Sequence, residues 1–513
     1  MKDPLTIFPP LGLRQKFDVG ELDRLLKTKG EDYWQTEGAR RALKVFHQAA
    51  SRVPAYCDFL KKNKIDPDQI KTIEDFKSVP FTDAKNYTSQ YSLADRSWDG
   101  SLRSAKLIAT SSGTSGEPKF WPRDFSQEGE ATIVHELLYR NLFQIDQHRT
   151  LLIIGFPMGI YVSGIATLLP TWLAASGEYD LTIVSAGNNK NEVLRAVKHL
   201  QAEYEQIILV GHPFFIKDVI ETGRREKIDW SKRRLKMMFC SEGFSEGWRR
   251  YLSKEAGLQS GLWDIFNTYG SSEMLLMAYE TPVTVLLRNI LDQHTGLRKH
   301  IFGEAVNLPN LFQYNPLWRY IESEKRELLF TSTSGLPLIR YNLHDSGQIV
   351  SLAETEKMIH QLKPRWLDNW RRDYDKSHQL WRLPLVALWG RSDNTIIFYA
   401  ANIYPEHIQQ ALSLNVLFSK LTGKFVMRKD YLDNMDQFLE INIELRKGIK
   451  PSKKLEHFIR QQATIRLKKI NSEYLDACNH LKDKDLRPRI NLWPYQDEKY
   501  FKPGLKPKYI YQS

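Results

Sequence analysis

Short apolar runs alternate with helical stretches between residues 107 and 267, and this alternation limits the possible folds more than any other feature of the chain. The runs are short and bounded by turn residues, which is typical of buried strands. Buried strands that alternate with helices favour a parallel sheet with helices on both faces. The predicted strands cover residues 107–109, 151–154, 181–184, 206–210, 235–240 and 265–267, and the predicted helices cover 191–204, 214–222 and 245–254.

The segments on either side of this region have different patterns. The first hundred residues are mainly helical, with apolar residues at helical spacing between residues 38 and 51. After residue 327 the pattern becomes β-rich, and from about residue 393 it indicates a small α+β module. The predicted fold class is therefore α/β, with a large N-terminal α/β domain containing parallel sheets and a β-rich subdomain, and a small α+β C-terminal domain.

Charge and composition limit the function classes. The chain has 513 residues, 42% of them apolar, and a net charge of +12. From Ile441 to the end, 17 Lys or Arg oppose 8 Asp or Glu, which gives this region a net charge of +9. A basic region of this kind predicts an anionic partner, such as a nucleotide, coenzyme A or an acidic carrier protein. No zinc-finger, RRM-like or helix-turn-helix pattern accompanies the charge, so we expect no nucleic-acid partner; charge alone leaves nucleic-acid binding as an alternative.

Residues 150–177 carry no charge, but glycines and prolines interrupt them. We therefore expect a buried strand, a loop and a buried helix here, and no membrane span. The first residues lack the pattern of a secretory signal, and the three cysteines are scattered without metal-ligand spacing. These features predict a cytoplasmic protein.

The strongest local signal is the stretch from Thr110 to Lys119, which reads TSSGTSGEPK. Hydroxyls and glycines at this density make a loop with accessible backbone N–H groups, and such a loop can wrap a triphosphate. The spacing of its glycines excludes a Walker A loop. A flexible surface linker is the alternative interpretation.

Three further stretches have the composition of nucleotide-binding turns. Residues 269–273 read YGSSE, in which a tyrosine can stack on a purine and a glutamate can hold Mg²⁺. Residues 340–347 read RYNLHDSG, in which an aspartate could accept both ribose hydroxyls, and residues 390–393 read GRSD. Taken singly, each is also compatible with an ordinary turn or charged loop.

Together, in this order, the four stretches resemble the motifs of the acyl-adenylate-forming superfamily, and their finer pattern resembles its phenylacetate–CoA ligase branch. Shorter matches to that family occur at residues 81–85, 241–243 and 402–406. The resemblance spans roughly residues 50 to 510. It implies a large domain at 1–388, a hinge at 389–394 and a small mobile domain at 395–513.

The resemblance also implies a role for each matched residue. The ATP phosphates would be cradled by Ser111, Ser112, Gly113, Thr114, Ser115, Gly116 and Lys119. Glu242, Gly243 and Tyr269 would frame the adenine, Asp345 would bind the ribose, and Arg391 would contact nucleotide oxygens. Ser272 and Glu273 would serve phosphate and Mg²⁺, and Gly270 and Ser271 would complete the same nucleotide-binding motif. Asp393 would be the hinge pivot. The catalytic residues would be Arg391 and a C-terminal lysine, for which Lys506 is preferred and Lys508 is the rival because the register after Gly504 is off by one residue.

The expected reaction is activation of a small carboxylic acid as an acyl-adenylate, followed by transfer to a thiol. Candidates for the acid pocket are Phe156, Tyr161, His212 and Phe214, which favour an apolar or aryl acid, although core packing explains them equally well. The acceptor is open among coenzyme A, carrier-protein phosphopantetheine and a partner cysteine, as in acyl-protein synthetases. A nucleotide-binding module that has lost catalysis is a further alternative.

Overall fold

The computed structural model describes residues 19–111, 119–177, 179–259, 261–303, 308–333, 336–362, 380–391, 395–412, 414–481, 484–501 and 509–510. Its helices are α1 Val19–Thr28, α2 Glu31–Arg52, α3 Pro54–Lys62, α4 Ile73–Lys77, α5 Phe125–Phe143, α6 Val162–Ala175, α7 Lys190–Leu200, α8 Pro213–Arg225, α9 Glu246–Glu255, α10 Pro282–Gln293, α11 Thr295–Phe302, α12 Leu352–Leu362, α13 Pro405–Leu412, α14 Asn415–Phe418, α15 Lys453–Ile470 and α16 Ser472–His480. Its strands are β1 Leu107–Ser111, β2 Lys119–Arg123, β3 Thr150–Gly155, β4 Leu181–Ser185, β5 Gln206–Gly211, β6 Arg234–Phe239, β7 Ile265–Ser271, β8 Leu275–Tyr279, β9 Asn310–Gln313, β10 Tyr320–Glu324, β11 Glu327–Ser332, β12 Leu338–Val350, β13 Leu385–Arg391, β14 Ile396–Phe398, β15 Ala401–Ile403, β16 Leu421–Tyr431, β17 Gln437–Leu445 and β18 Arg489–Trp493.

Eleven of the described strands form one large sheet in the order β10-β11-β12-β13-β9-β8-β7-β6-β5-β3-β4. The half from β4 to β7 is parallel, whereas the pairs from β7 to β9 and from β10 to β12 are antiparallel. Strands β3 and β5 are buried along their whole length, as parallel strands covered by helices on both faces must be. The α/β fold class predicted from the sequence is confirmed.

The predicted elements of the parallel half are also confirmed, with small shifts at their ends. Each predicted strand lies in one of β1 and β3 to β7, and the three predicted helices correspond to α7, α8 and α9. Helix α7 ends at Leu200 and a 3-10 turn follows it, so the predicted helix was a few residues too long. Apolar side chains of β3, β5 and β7 meet those of α5 in the main hydrophobic core.

The uncharged stretch 150–177 folds as β3, a loop and α6. The strand is buried as expected, but the prediction of a buried helix was wrong in part, because Trp172 of α6 is 65% exposed. Helix α6 packs closely against the preceding loop at Gly164. A Cβ there would lie 2.2 Å from the carbonyl oxygen of Pro157, so only glycine fits. Among the described helices, none has the length and apolarity to cross a membrane.

The chain divides into two compact units. The first comprises Met1–Ser111, Phe120–Gly211 and Val219–Gly390. It contains the large sheet except for Arg391, the last residue of β13. The second comprises Ser112–Lys119, His212–Asp218 and Arg391–Ser513. Its described part contains a three-stranded sheet in the order β16-β17-β18, with α15 packed beside it. The domain boundaries and the hinge expected from the sequence stay a prediction.

Candidate functional site

The end of β7 and the middle of β12 bring together two of the motifs found in the sequence. The Tyr269 hydroxyl donates a short hydrogen bond to Oδ2 of Asp345. Asp345 is only 7% exposed, and one face of the Tyr269 ring stacks on Phe312 with 5.9 Å between ring centroids. A predicted purine-binding tyrosine and a predicted ribose-binding aspartate are therefore in direct contact.

A third matched segment, residues 81–85, lies along β12. The backbone N–H of Thr82 donates to the carbonyl of Arg340 at 3.2 Å, and the N–H of Asn342 donates back to the carbonyl of Thr82 at 2.7 Å. Nε2 of His344 lies 3.3 Å from Oδ2 of Asp83. These bonds place the early matched segment beside the strand that carries Asp345.

The turn after β6 supplies the fourth matched segment. Ser241 has a φ of 78°, which is a left-handed conformation that non-glycine residues seldom adopt. The side chain of Asn267 on β7 donates to the carbonyl oxygen of Glu242 at 3.1 Å, which ties the turn to the strand leading to Tyr269. A Cβ at Gly243 would lie 2.4 Å from Nδ2 of Asn310, so a side chain there would displace the Asn310 amide.

The turn between β7 and β8 holds Ser272 and Glu273. A Cβ at Gly270 would lie 2.8 Å from the carbonyl oxygen of Leu275, so glycine allows this turn to close. Ser271 Oγ accepts the N–H of Met274 at 3.2 Å. Burial raises the pKa of Tyr341 on β12, and the negative charge of Glu273 raises it further. The negative charge of Glu273 therefore acts on Tyr341, which lies on the same strand as Asp345.

The Ser/Thr/Gly stretch lies between β1 and β2, which form a two-stranded sheet. The backbone N–H of Thr110 donates to the carbonyl of Ile160 at 2.9 Å, next to Tyr161. Ser111 Oγ accepts the indole N–H of Trp121 at 3.0 Å, and Lys119 begins β2. The remaining predicted phosphate-binding residues, Ser112, Gly113, Thr114, Ser115 and Gly116, lie outside the described residues.

The four acid-pocket candidates have different surroundings. Phe156 follows β3 and is buried in the main core. Tyr161 precedes α6 and forms an isolated bridge with Thr110. His212 and Phe214 belong to the second unit, in which the Phe214 ring stacks on Tyr431 with 6.1 Å between centroids. Their role as an acid pocket stays a prediction.

The predicted catalytic groups fall at the edge of the described chain. Arg391 is the last residue of β13 and is partly buried. Asp393, Lys506 and Lys508 lie outside the described residues. Within the described ranges, no three or more His, Cys, Asp or Glu side chains group as metal ligands. The metal role of Glu273 stays a prediction.

Comparison with known proteins adds to this geometry. No protein-family model matches the chain. It is 21% identical over 452 residues to a phenylacetate–coenzyme A ligase of Aromatoleum evansii, covering 85% of this chain and 88% of the relative. It is 20% identical over 415 residues to a phenylacetate–coenzyme A ligase of Pseudomonas putida, covering 80% of this chain and 82% of the relative. In sequence, the chain is phenylacetate–coenzyme A ligase-like over most of its length.

A solved structure agrees on the fold of this phenylacetate–coenzyme A ligase-like protein. It is that of 2-hydroxyisobutyryl-CoA ligase in complex with 2-HIB-AMP and CoA, in its thioesterification state. The TM-score is 0.62 at 15% identity, and the match covers 99% of this chain and 94% of that one. The superfamily and the acid–thiol ligase class expected from the sequence are confirmed by these relatives.

Sequence reasoning missed several residues that contact the matched segments of this phenylacetate–coenzyme A ligase-like protein. Asn267 holds the Glu242–Gly243 turn to β7 but was not singled out. Arg288, on the buried face of α10 between Leu287 and Ile290, donates to the backbone beside the Glu242–Gly243 turn. An arginine within an apolar helical face is a sequence signal, because a buried cation needs partners.

Proposed function

We propose that this protein uses ATP to activate a carboxylic acid as an acyl-adenylate, releases pyrophosphate, and transfers the acyl group to the thiol of coenzyme A. The contact between Tyr269 and Asp345 carries the proposal, because it joins two separate motifs at one place. The two relatives named as phenylacetate–coenzyme A ligases support the same reaction class.

The residues around this contact fit the sugar and base of a nucleotide. An ionised carboxylate has about four lone-pair positions, so Asp345 can accept the Tyr269 hydroxyl and still accept ribose hydroxyls. The hydroxyl of Tyr269 orients the carboxylate for that task. The Glu242–Gly243 turn, tied to β7 through Asn267, frames the base.

The triphosphate is bound by the Ser111–Gly116 stretch and Lys119 in this proposal. Their hydroxyls, backbone N–H groups and positive charge suit phosphate oxygens. Glu273 is the carboxylate that would hold Mg²⁺, and the ion would neutralise charge on the phosphates. Arg391 contacts nucleotide oxygens, and Lys506, or its rival Lys508, stabilises charge between the carboxylate and the α-phosphate.

In the reaction, the substrate carboxylate attacks the α-phosphorus of ATP, and the bond to pyrophosphate breaks. The thiol then attacks the acyl carbon, and AMP leaves as the thioester forms. Holding both reactants in place removes much of the entropic barrier to each step. Acyl-adenylate formation and thiol attack need different groups near the acyl carbon. Asp393 is therefore the proposed pivot about which the small domain rotates between the two steps.

The acid is proposed to be apolar or aryl. No Asp or Glu occurs from Gly155 to Gly177, which argues against a substrate with an ammonium group. Phe156 and Tyr161 lie within this stretch, and the relatives named for phenylacetate support an aryl acid. A carrier-protein phosphopantetheine or a partner cysteine would replace coenzyme A as acceptor without changing the first step.

The test is acid-dependent exchange of labelled pyrophosphate into ATP. A panel of aryl, fatty and short acids is assayed with the full chain, and coenzyme A is then added with mass-spectrometric detection of the thioester. We expect exchange with an aryl acid and thioester formation with coenzyme A. Exchange without a thioester would move the acceptor to a carrier protein or cysteine. No exchange with any acid, together with tight ATP binding, would indicate a module that has lost catalysis.

The same assay decides the catalytic lysine. We expect Lys506→Ala to lower adenylate formation strongly and Lys508→Ala to leave most of it. Equal activity of both variants and the unsubstituted chain would show that the lysine assignment is wrong.

A further inference from the structure

Four charged side chains form a cluster beneath the Glu242–Gly243 turn. Two are acidic and two are basic, and each is at most 3% exposed: Glu246, Arg249, Glu280 and Arg288. Arg249 donates to both carboxylates, at 3.0 Å to Glu246 and at 2.7 Å to Glu280. Arg288 donates to Glu246 at 2.9 Å. The charges balance, so the cluster can remain ionised inside the protein.

The pKa of Glu246 agrees with this arrangement. Burial alone would raise it, but the positive charges of Arg249 and Arg288 hold the pKa of Glu246 below its ordinary value. Asn289 also donates to Glu246, at 3.0 Å. Glu246 therefore binds both arginines, and Glu280 lies within ion-pair distance of both as well.

Arg288 also makes bonds out of the cluster to the backbone. Its Nη2 donates to the carbonyl of Phe244 at 2.5 Å, immediately after the Glu242–Gly243 turn. Its Nε donates to the carbonyl of Pro309 at 3.0 Å, immediately before Asn310, whose amide packs against Gly243. One guanidinium group thus fixes both the turn and the strand end that the turn packs against.

The other two residues bind the strand leading to Tyr269. Glu280 accepts the backbone N–H of Asn267 at 2.7 Å, and Arg249 donates to the carbonyl of Ile265 at 2.5 Å. The Asn267 side chain in turn holds the carbonyl of Glu242. Of the two bonds that this cluster makes to the backbone of β7, the one to Asn267 is therefore at the residue that holds the turn proposed to frame the base.

A cluster of this kind is a poor way to gain stability, because apolar side chains of similar volume stabilise a core as well or better. Here the cluster instead fixes the positions of the backbone groups to which it is hydrogen-bonded. We propose that Arg288 and Glu280 are positioning residues that set the spacing between the Glu242–Gly243 turn and β7, and thereby the affinity and base selectivity of the nucleotide site. The inference rests on the function proposed above.

The test uses Arg288→Lys, which keeps the positive charge but loses the forked donor, and Glu280→Gln. ATP binding to the full chain is measured by calorimetry, and KM is measured separately for ATP and for the acid that supports exchange. We expect Kd and KM for ATP to rise about 10-fold and KM for the acid to change less than about twofold, since each variant loses a hydrogen bond to a charged group. Selectivity for ATP over GTP should fall as well.

The matched control is Lys236→Met. Lys236 is also a largely buried cation in a pair, donating to Asp264 at 2.7 Å, but it lies near the start of β6, away from the turn after its end. We expect it to lower the unfolding temperature without changing the ratio of the two KM values.

If Arg288→Lys and Glu280→Gln behave like this control, the cluster is only structural and the inference is wrong. An unsubstituted chain that binds ATP but turns over no acid would overturn the proposed function alone, because the Kd comparison still tests the positioning role. Failure to bind ATP would overturn both.

Discussion

The part of the first unit proposed to bind the nucleotide and the surroundings of Phe156, proposed for the acid, are built in different ways. Around Tyr269 and Asp345, polar side chains bond to each other and to named backbone atoms. Phe156 lies instead in a large cluster of buried apolar side chains. Directed bonds tolerate few substitutions, whereas apolar packing tolerates volume-conserving ones. The first region should therefore lose function abruptly, and the second should change selectivity gradually.

Asp345→Asn should give the largest effect. The substitution keeps the size of the side chain but removes the charge that would accept the ribose hydroxyls. Loss of two hydrogen bonds to a charged acceptor costs about 3 kcal/mol, so kcat/KM for ATP should fall about 100-fold in steady-state exchange assays. Asp264→Asn, at a carboxylate of the first unit that lies outside the matched motifs, is the control. If Asp345→Asn leaves kcat/KM for ATP unchanged, Asp345 does not bind the ribose hydroxyls.

Tyr269→Phe should have a smaller effect on the same step. It removes the hydroxyl that orients Asp345, so kcat/KM for ATP should fall about 10-fold in the exchange assay. Tyr279→Phe is the matched control, because the buried Tyr279 hydroxyl has no hydrogen-bond partner among the described residues. In the double variant with Asp345→Asn, the tyrosine change should add little. Full additivity would mean that the two side chains act independently.

Phe156→Leu examines the apolar region. A volume change of this size in a core should lower the free energy of unfolding by about 1 kcal/mol. If Phe156 also borders the acid, KM values should shift between aryl and shorter acids while KM for ATP stays constant, as measured by exchange across the acid panel. Phe143→Leu, in the same core, is the control for stability alone. Identical acid preference in the two variants would place Phe156 in the core only.

The contrast between the regions also explains what could be predicted from the sequence. The predicted strands and helices of the parallel half were confirmed, because buried strands and the helices between them leave a periodic apolar pattern. The order β13-β9-β8 in the sheet was not predicted, because Leu385 pairs with Gln313 across a long stretch of chain that leaves no local signal.

The same reasoning applies to the candidate site. Tyr269 and Asp345 were identified because a motif preserves chemically special residues at fixed spacing, and the structure brings them together. Phe156 could not be distinguished from ordinary core, since a pocket wall and a core use the same residue types. Glu280 and Arg288 were missed because their partners, both side chains and backbone atoms, belong to segments distant in sequence.

The smallest expected effect concerns His135, on the helix that supports the apolar region. Helix α5 lies against α6, where Tyr139 and Thr171 share a hydrogen bond of 2.9 Å. Burial lowers the pKa of His135 to about 4, although its ring donates to the carbonyl of Ala131. In the unfolded chain the histidine takes up a proton near its ordinary pKa of 6.5.

Because the folded pKa is the lower one, the neutral His135 contributes stability that is complete above pH 6.5 and is lost as the pH falls towards 4. Lowering the pH from 7 to 6 should therefore cost less than about 1 kcal/mol. Urea unfolding at both pH values should show a smaller difference for His135→Gln than for the unsubstituted chain. The exposed His457→Gln should leave the difference unchanged. If the free energy of unfolding depends on pH equally in all three proteins, His135 is accessible to protons in the folded state. The face of α5 that carries His135 would then not be shielded from water.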